Sequence, residues 1–247
     1  MAQINFILQG KGGVGKSVCA VLLAQYKKSK STDGKQPVCI DLDPVNTSFK
    51  SFKAFNVQHF NILDSEENIK RRSFDSMIEE IFQKAEEGQD SIIDVGAMTF
   101  LPLSSYIKNT DVFTSIAGED ENGNPLHEIY VHVPVVAGQM FNDTIQGLQT
   151  VLDLPGPFQV IVWLNPMNGA VEEKFTQAKI EHKKLGAIVT LPVLTEDTFG
   201  HDFRELLESK HTFEEALKDE KLFIVVRSRL KRIQKLVYEA IDCVKLI

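Results

Sequence analysis

Short apolar runs alternate along the chain with longer segments in which apolar and polar positions are mixed. The runs are continuously apolar and rich in β-branched side chains, which predicts buried strands at residues 4–8, 38–41, 91–94, 128–136, 158–164 and 187–191. Apolar positions at helical spacing predict helices at residues 16–30, 73–87, 141–152 and 172–185. This alternation predicts an α/β fold, a mostly parallel sheet with helices on both faces.

The length of the chain fits one domain. With 247 residues, 43% of them hydrophobic and 25% charged, the chain can build one sizeable core but is short for two. Residues 118–125 are polar and are expected to form an exposed turn rather than a linker. We therefore predict a single domain over residues 1–247.

Composition narrows the class of protein. Cys19, Cys39 and Cys243 lie in apolar stretches without C-x-x-C spacing, as expected for core thiols in a reducing cytoplasm. There is no secretory pattern at the N-terminus and no apolar run near about 18 residues, so a cytoplasmic protein without a membrane span is expected. The net charge of −7 argues against whole-surface affinity for nucleic acid, and the six histidines lack metal-ligand spacing.

A glycine-rich loop directly follows the first predicted strand. Residues 10–17 read Gly-Lys-Gly-Gly-Val-Gly-Lys-Ser and lead into the first predicted helix. The glycines let consecutive backbone N–H groups curl around an anion, and the helix points its positive dipole end at the same place. In a phosphate loop of this kind Lys16 reaches the β- and γ-phosphates and the Ser17 hydroxyl is a ligand of Mg²⁺. The expected nucleotide-binding residues are Gly10, Lys11, Gly12, Gly13, Val14, Gly15, Lys16, Ser17 and Val18.

A second lysine in the loop makes the signal more specific. With Lys11 ahead of two glycines, residues 11–17 resemble the deviant phosphate loop of the ParA/MinD superfamily of partitioning and positioning ATPases. In that family the first lysine reaches across a dimer interface to the nucleotide held by the other subunit. The resemblance therefore implies ATP and Mg²⁺ as cofactors, a homodimer that forms on ATP binding, and a role in trans for Lys11.

Three aspartates follow the predicted strands. Asp41 and Asp43 lie at the end of the second strand and Asp94 at the end of the third, and open sheets of this type bind ligands at the carboxyl ends of their strands. Asp94 is placed as a Walker B acid, which holds Mg²⁺ directly or through water. The resemblance implies that Asp43 positions the attacking water and that Asp41 supports the metal shell. The predicted metal set is thus Ser17, Asp41 and Asp94, and the predicted catalytic set is Lys11, Lys16 and Asp43.

The segment after the predicted strand 158–164 bears on the identity of the base. Residues 165–168 read Asn-Pro-Met-Asn and lack the lysine and aspartate of guanine-reading loops, which favours adenine. The resemblance implies that Asn165 lies against the base and that the backbone near Pro192 makes a second contact. A turn-forming role for Asn165 before Pro166 is an equally balanced alternative.

Two segments depart from the usual pattern of the superfamily. Residues 45–47 read Val-Asn-Thr where Gln-Gly-Asn is usual, and residues 95–97 read Val-Gly-Ala where a proline is common. A weak, partner-stimulated ATPase is therefore expected. The alternative is a non-hydrolysing regulatory module that uses bound nucleotide to present a surface. Against a third class, metabolic kinases and synthetases, the chain lacks space for a large substrate-binding insertion.

The departures, together with residues 8–9, 163–166 and 195–200, are similar to plasmid-encoded TraL proteins of conjugal transfer regions and to StbB-type plasmid stability proteins. This resemblance covers nearly the whole chain. It implies a role in plasmid stability or conjugative transfer and a plasmid-encoded protein partner.

The last helical segment is basic. Five bases and no acid lie between residues 227 and 235, on a segment with apolar positions at helical spacing; they are Arg227, Arg229, Lys231, Arg232 and Lys235. Such a helix could lie on an anionic membrane or hold DNA. The favoured interpretation is a helix that packs on the sheet with its charges in water.

Overall fold

The structure is a computed structural model that describes residues 1–32, 34–63, 66, 70 and 72–245. The strands in these residues are β1 (Gln3–Ile7), β2 (Val38–Asp41), β3 (Gln58–His59), β4 (Ser91–Asp94), β5 (Glu128–Val136), β6 (Gln159–Asn165) and β7 (Leu185–Thr190). The helices are α1 (Lys16–Lys30), α2 (Arg72–Glu86), α3 (Ala97–Thr110), α4 (Val112–Ala117), α5 (Phe141–Leu152), α6 (Glu172–Gln177), α7 (His201–Glu208), α8 (Phe213–Lys218) and α9 (Ile224–Asp242).

The described strands form one parallel sheet in the order β3-β2-β4-β1-β5-β6-β7. Strand β1, which leads into the glycine-rich loop, lies in its middle between β4 and β5. The register aligns Ile7 with Asp94, and Asp94 with Asp41. The ends of three neighbouring strands therefore meet in one row, beside the loop that follows β1.

Helices cover both faces of the sheet, as predicted. One apolar cluster joins the sheet to helices α2 to α6, and the other joins it to α1 and α7 to α9. Helix α1 is buried continuously from Cys19 to Tyr26 because α8 and α9 lie outside it. Among the described residues, none of the helices combines the length and apolarity that crossing a bilayer requires.

One predicted helix was too long. The sequence pattern extended it over residues 172–185, whereas α6 ends at Gln177 and β7 already begins at Leu185. The break is local, since Lys179 adopts a left-handed conformation with φ of 46°, which an α-helix does not continue through. Helices α3, α4, α7 and α8 were not predicted; α3 contains Pro102, a residue that argues against a helix interior.

A buried layer of polar side chains crosses the middle of the sheet. Trp163 Nε1 donates to His132 Nδ1 at 2.8 Å, and His132 Nε2 lies 3.0 Å from Asn5 Oδ1. Since Nδ1 accepts, the imidazole proton is on Nε2 and is donated to Asn5. Asn5 Nδ2 in turn donates to the Ser91 carbonyl at 3.1 Å. The layer therefore links β6, β5, β1 and β4 through groups that satisfy one another.

We predict that His132 makes the stability of the protein fall in mild acid. Burial lowers the pKa of His132 to about 3, below its ordinary value near 6.5. Between these two values the unfolded chain binds a proton that the folded chain excludes, so the free energy of unfolding decreases as the pH falls through this range. From pH 7 to pH 5 this residue should account for a loss of about 2 kcal/mol.

Urea unfolding of the wild type and of His132→Gln at both pH values measures this contribution. The variant should lose about 2 kcal/mol less than the wild type between pH 7 and pH 5. His201→Gln, which removes an exposed histidine, is the matched control. Equal losses in the wild type and His132→Gln would contradict the prediction.

Candidate functional site

The glycine-rich loop has the backbone shape that its sequence predicts. Gly13 and Gly15 adopt left-handed conformations with φ of 73° and 92°, which cost glycine little. Gly15 precedes α1 without a side-chain cap, and the first turn of α1 contains no acid. A Cβ on Gly10 would lie 2.8 Å from the Phe100 ring, so this glycine allows close packing on α3. The uncapped start of α1 is a place where an anion would be stabilised.

Lys16 is a buried cation at the centre of the site. Only 8% of the residue is exposed, and its Nζ donates to the Lys11 carbonyl at 3.1 Å. Burial lowers the pKa of Lys16, whereas the nearby carboxylates of Asp94 and Asp43 raise it. An anionic ligand at the loop would add to the negative charge of those two acids and would further favour the protonated form of Lys16.

Asp94 has the chemistry of a metal ligand. It is 2% exposed, and its Oδ1 is buried without a hydrogen-bond partner. Burial raises the pKa of Asp94 to about 7, the charges of Asp41 and Asp43 raise it too, and the bond from Ser17 and the charge of Lys16 lower it. A carboxylate oxygen without a partner beside a serine hydroxyl fits a hard divalent cation such as Mg²⁺.

Asp41 and Asp43 organise the loop after β2. The fully buried Asp41 accepts from the Asp43 amide at Oδ1 and from the Lys50 amide at Oδ2, both at 3.0 Å. Asp43 Oδ1 accepts from the amides of Val45 and Asn46 at 2.9 Å each. The structure thus brings Asp43 and Asp94 close to Lys16 and places Asp41 beside Asp94. Both carboxylate oxygens of Asp41 accept hydrogen bonds from backbone amides, whereas Oδ1 of Asp94 has no hydrogen-bond partner.

The loop of Asp43 is also held from the other side. A Cβ on Gly96 would lie 2.9 Å from the Asp43 Cα, so Gly96 lets the start of α3 approach the loop closely. The Thr99 hydroxyl donates to the Leu42 carbonyl at 3.0 Å. The loops after β2 and β4 therefore pack against each other beside Lys16.

Lys11 points away from the loop. Its Nζ lies 2.7 Å from Asp143 Oδ2 in the first turn of α5, and the two side chains are 39% and 52% exposed. A pair this exposed contributes at most about 1 kcal/mol, so it holds Lys11 only weakly. In this conformation the ammonium of Lys11 is engaged within its own chain.

A cleft of about 660 Å³ opens beside the loop. Gly13, Gly15 and Val18 line one side, and residues at or after the ends of β6 and β7, including Asn165 and Pro192, line the other. The volume suits a small-molecule ligand. The predicted contacts to a base are therefore brought to one cavity, next to the glycine-rich loop.

Asn165 connects the two walls of the cleft. Its Nδ2 donates to the Val14 carbonyl at 3.1 Å, and its Oδ1 accepts from the Met167 amide at 3.2 Å. A Cβ on Gly15 would lie 2.5 Å from Asn165 Nδ2. The turn-forming role is observed, and Asn165 also fixes the position of the glycine-rich loop.

Gln9 is a site residue that sequence reasoning used only as part of a family resemblance. It is fully buried, and its Nε2 donates to the carbonyls of Pro134 and Thr144 at 3.0 Å each. These bonds hold the start of the loop to β5 and α5. The signal that could have found it is an amide side chain directly between an apolar strand and the loop.

We predict that Gly147→Ala disturbs this attachment. A Cβ on Gly147 would lie 1.8 Å from Gln9 Oε1, and the two bonds of Gln9 leave it little room to move. Overlap of this kind costs about 1–3 kcal/mol, which outweighs the gain of about 1 kcal/mol for alanine in a helix. Urea unfolding without nucleotide should show a net loss of about 1 kcal/mol.

Gly12→Ala is the matched control, because a Cβ there has no neighbour within 4 Å. It should change the free energy of unfolding by less than about 0.5 kcal/mol. A Gly147→Ala variant at least as stable as the wild type would show that Gln9 is not held as described.

Comparison with known proteins finds a relative of similar sequence and solved structures of similar fold. No family model matches the chain. The chain is 40% identical over 249 residues to the protein TraL of Escherichia coli, covering 98% of each chain. Its fold is similar to a ParA family ATPase from Chlorobium tepidum, with TM-score 0.53, 12% identity and coverage of 95% of this chain and 98% of that one.

The fold is also similar to MinD in the MinC:MinD complex of Aquifex aeolicus. The TM-score is 0.51 at 16% identity, and 95% of each chain is covered. These likenesses confirm the predicted α/β fold with a parallel sheet at its centre. The identity to TraL confirms the resemblance drawn from the sequence.

Proposed function

The chain belongs to the TraL family, and on this premise we propose that it is a Mg²⁺- and ATP-binding dimerisation switch that hydrolyses ATP slowly. We place its role in plasmid stability or conjugative transfer. The observation that carries the proposal is the buried Lys16 at the glycine-rich loop, beside Asp94 with its free oxygen. The negative charge of a bound triphosphate would balance Lys16, and the Mg²⁺ bound with it would take the free oxygen of Asp94.

ATP binding is assigned to the loop and the cleft. Residues 10–18 would surround the phosphates, with Lys16 on the β- and γ-phosphates, and the adenine would lie near Asn165 and Pro192. Ser17 and Asp94 would hold Mg²⁺, which when bound neutralises phosphate charge. Asp41 would act on the metal environment through the loop that it holds. These residues would position the nucleotide and surround its phosphates with backbone N–H donors and charged side chains.

Turnover is assigned to Asp43. Its Oδ1 is occupied by two backbone amides, which hold the carboxylate in place. We assign Oδ2 to the attacking water. A non-hydrolysing regulatory module remains the alternative function, and a phosphate-release assay on the wild type and Asp43→Ala separates the two.

Dimerisation on ATP is supported by exposed apolar side chains around the loop. Val45, Met98, Leu101, Met167 and Val193 are 52% to 78% exposed. They follow the carboxyl ends of β2, β4, β6 and β7, so they lie at the same edge of the sheet as Lys11. A second copy facing this edge would cover them and bring its own Lys11 to the nucleotide.

Other partners and the cell compartment follow by analogy. The MinD structure of similar fold contains a second protein, MinC, and we infer a plasmid-encoded protein partner here. Free thiols at all three cysteines fit a cytoplasmic location. Leu230, Ile233, Val237 and Ile241 are buried, so α9 packs on the protein, and DNA or membrane contact through this helix is not part of the proposal.

We predict that Lys16→Ala weakens binding of a non-hydrolysable ATP analogue with Mg²⁺ by about 100-fold, because charged hydrogen bonds to the phosphates are lost. Calorimetric titration measures the affinity. Lys108→Ala, which removes an exposed lysine from α3, is the matched control and should bind as the wild type does. Unchanged affinity in a folded Lys16→Ala protein would refute the phosphate-loop assignment.

Lys11→Ala should bind ATP but lose the additional association that ATP produces. The test is made in an Asp43→Ala background, which should keep ATP bound without turnover, using light scattering after size exclusion. Asp143→Ala frees Lys11 from its partner within the chain and should favour the dimer by no more than about thirtyfold, since each of the two subunits gives up a pair worth at most about 1 kcal/mol. If ATP leaves the association of the Asp43→Ala protein at about 50 μM unchanged, whether or not Lys11 is present, the switch is disproved and the regulatory module is favoured.

A further inference from the structure

The start of α9 projects from the protein as an apolar tip. Phe223, Ile224 and Val225 are 79%, 76% and 56% exposed. The other end of α9 is tied to the end of α1, where Tyr26 and Lys30 both contact Asp242 at 2.6 and 2.7 Å. We call residues 223–225 the tip.

The tip breaks the usual rules for a helix N-terminus. Phe223 occupies the N-cap position without a side-chain hydrogen bond, and the first turn has no acid. Basic side chains flank the tip in the sequence, at Lys221 before it and at Arg227 and Lys231 after it, although the positive end of the helix dipole disfavours cations there. Lys221, Arg227 and Lys231 form no ion pair with any described residue. Three adjacent exposed apolar residues with unpaired cations are not explained by packing within the chain.

An acidic groove of about 640 Å³ lies beside the tip, between α7, α8 and α9. Its floor is apolar and includes the buried side chains of Leu206, Ala216 and Leu230. Its rim carries Glu205, Glu208, Glu215 and Asp219.

Among the described residues the rim carboxylates are left without a strong cationic partner, since Glu205 has only the exposed His201 Nδ1 at 3.7 Å. None of the four pairs with a lysine or arginine in the part of the chain that the structure describes. No lysine or arginine lines the groove, whereas Asp202 at its base is neutralised by Arg229, with Nε–Oδ2 at 2.5 Å and Nη2–Oδ1 at 3.2 Å. The groove therefore presents an apolar floor inside a negative rim.

We propose that this groove receives the tip of α9 from a second copy of the chain, in a dimer that does not depend on nucleotide. The apolar side chains of the tip match the floor, and the cations around the tip match the rim. The carboxylates of the groove also supply the negative charge that the first turn of α9 itself lacks. Because tip and groove adjoin each other, one twofold axis can place both tips in both grooves.

An anionic membrane is the other surface that apolar and basic side chains fit. It is disfavoured because Asp219 and Glu220 directly precede the tip and the rim acids lie beside it. These carboxylates would be repelled by anionic lipid, whereas they attract the cations of a second copy.

The test uses the full chain without nucleotide or Mg²⁺, in analytical ultracentrifugation from about 1 to about 100 μM. The wild type should dimerise in this range, and more weakly at high salt. Two double variants, Glu205→Lys with Glu208→Lys and Lys221→Glu with Lys231→Glu, should each weaken the dimer at least about tenfold. All four positions are exposed, and circular dichroism checks that the variants fold.

Mixing the two variants should restore association, since each then supplies the charge that the other lacks. Lys108→Glu with Lys174→Glu, which makes the same change of net charge as Lys221→Glu with Lys231→Glu at exposed positions elsewhere, should dimerise as the wild type does. A monomeric wild type at about 100 μM, variants that dimerise normally, or a mixture without recovery would each overturn the proposal.

Two further arms separate this interface from other surfaces. Lys11→Ala should dimerise normally without nucleotide, because Lys11 is not part of this interface. If the groove dimer is not found, the ATP-dependent switch is therefore still open to its own test. When vesicles of anionic lipid are sedimented in the presence of the protein, the protein should stay in the supernatant. Co-sedimentation of a monomer that Phe223→Ser abolishes would overturn the proposal in favour of a membrane contact.

Discussion

The register of the parallel strands determines where every charge of the site lies. Asp41 and Asp94 are neighbours across β2 and β4, and the same row continues to Ile7 on β1, where the glycine-rich loop begins shortly afterwards. A shift of one residue would turn Asp94 to the opposite face of the sheet. Lys16 would then be a buried cation without its nearest balancing carboxylate, which is far costlier than loss of a surface ion pair.

That register is secured by buried polar contacts as well as by apolar packing. The layer from Trp163 to Ser91 accepts only one arrangement of donors and acceptors across its strands. Gln9 then fixes the start of the glycine-rich loop to β5 and α5 through two further buried hydrogen bonds. Apolar contacts alone would tolerate small slides of one strand past another, whereas an unmade buried hydrogen bond costs about 1–3 kcal/mol.

The sequence allowed the central fold to be predicted because buried parallel strands are continuous apolar runs. Strands β2, β4 and β5 and helices α1 and α5 have the predicted bounds. The prediction was wrong at residues 172–185, where spacing alone could not reveal that the chain turns at Lys179 to join the sheet. Four helices were missed, including the short α4 and α8, which offer too few residues for periodicity to be recognised.

The site was predictable where a local motif carries the chemistry. The loop motif led to Lys16 and Ser17, and the strand ends led to Asp94. The contacts of Gln9 with α5 and of Lys11 with Asp143 join residues more than 100 positions apart, so no local pattern contains them. The acidic groove lies within residues 202–230, but three separate helices form it together, so the pattern of any one helix does not reveal it.

The chain has a single tryptophan, and its position makes it an optical reporter of the sheet centre. Trp163 is fully buried, its indole is bonded to His132, and it lies two residues before Asn165 at the cleft. Its emission therefore comes from one known environment rather than from an average over several indoles. Fraying of the surface helices will be silent in that signal, whereas separation of β5 from β6 will change it at once.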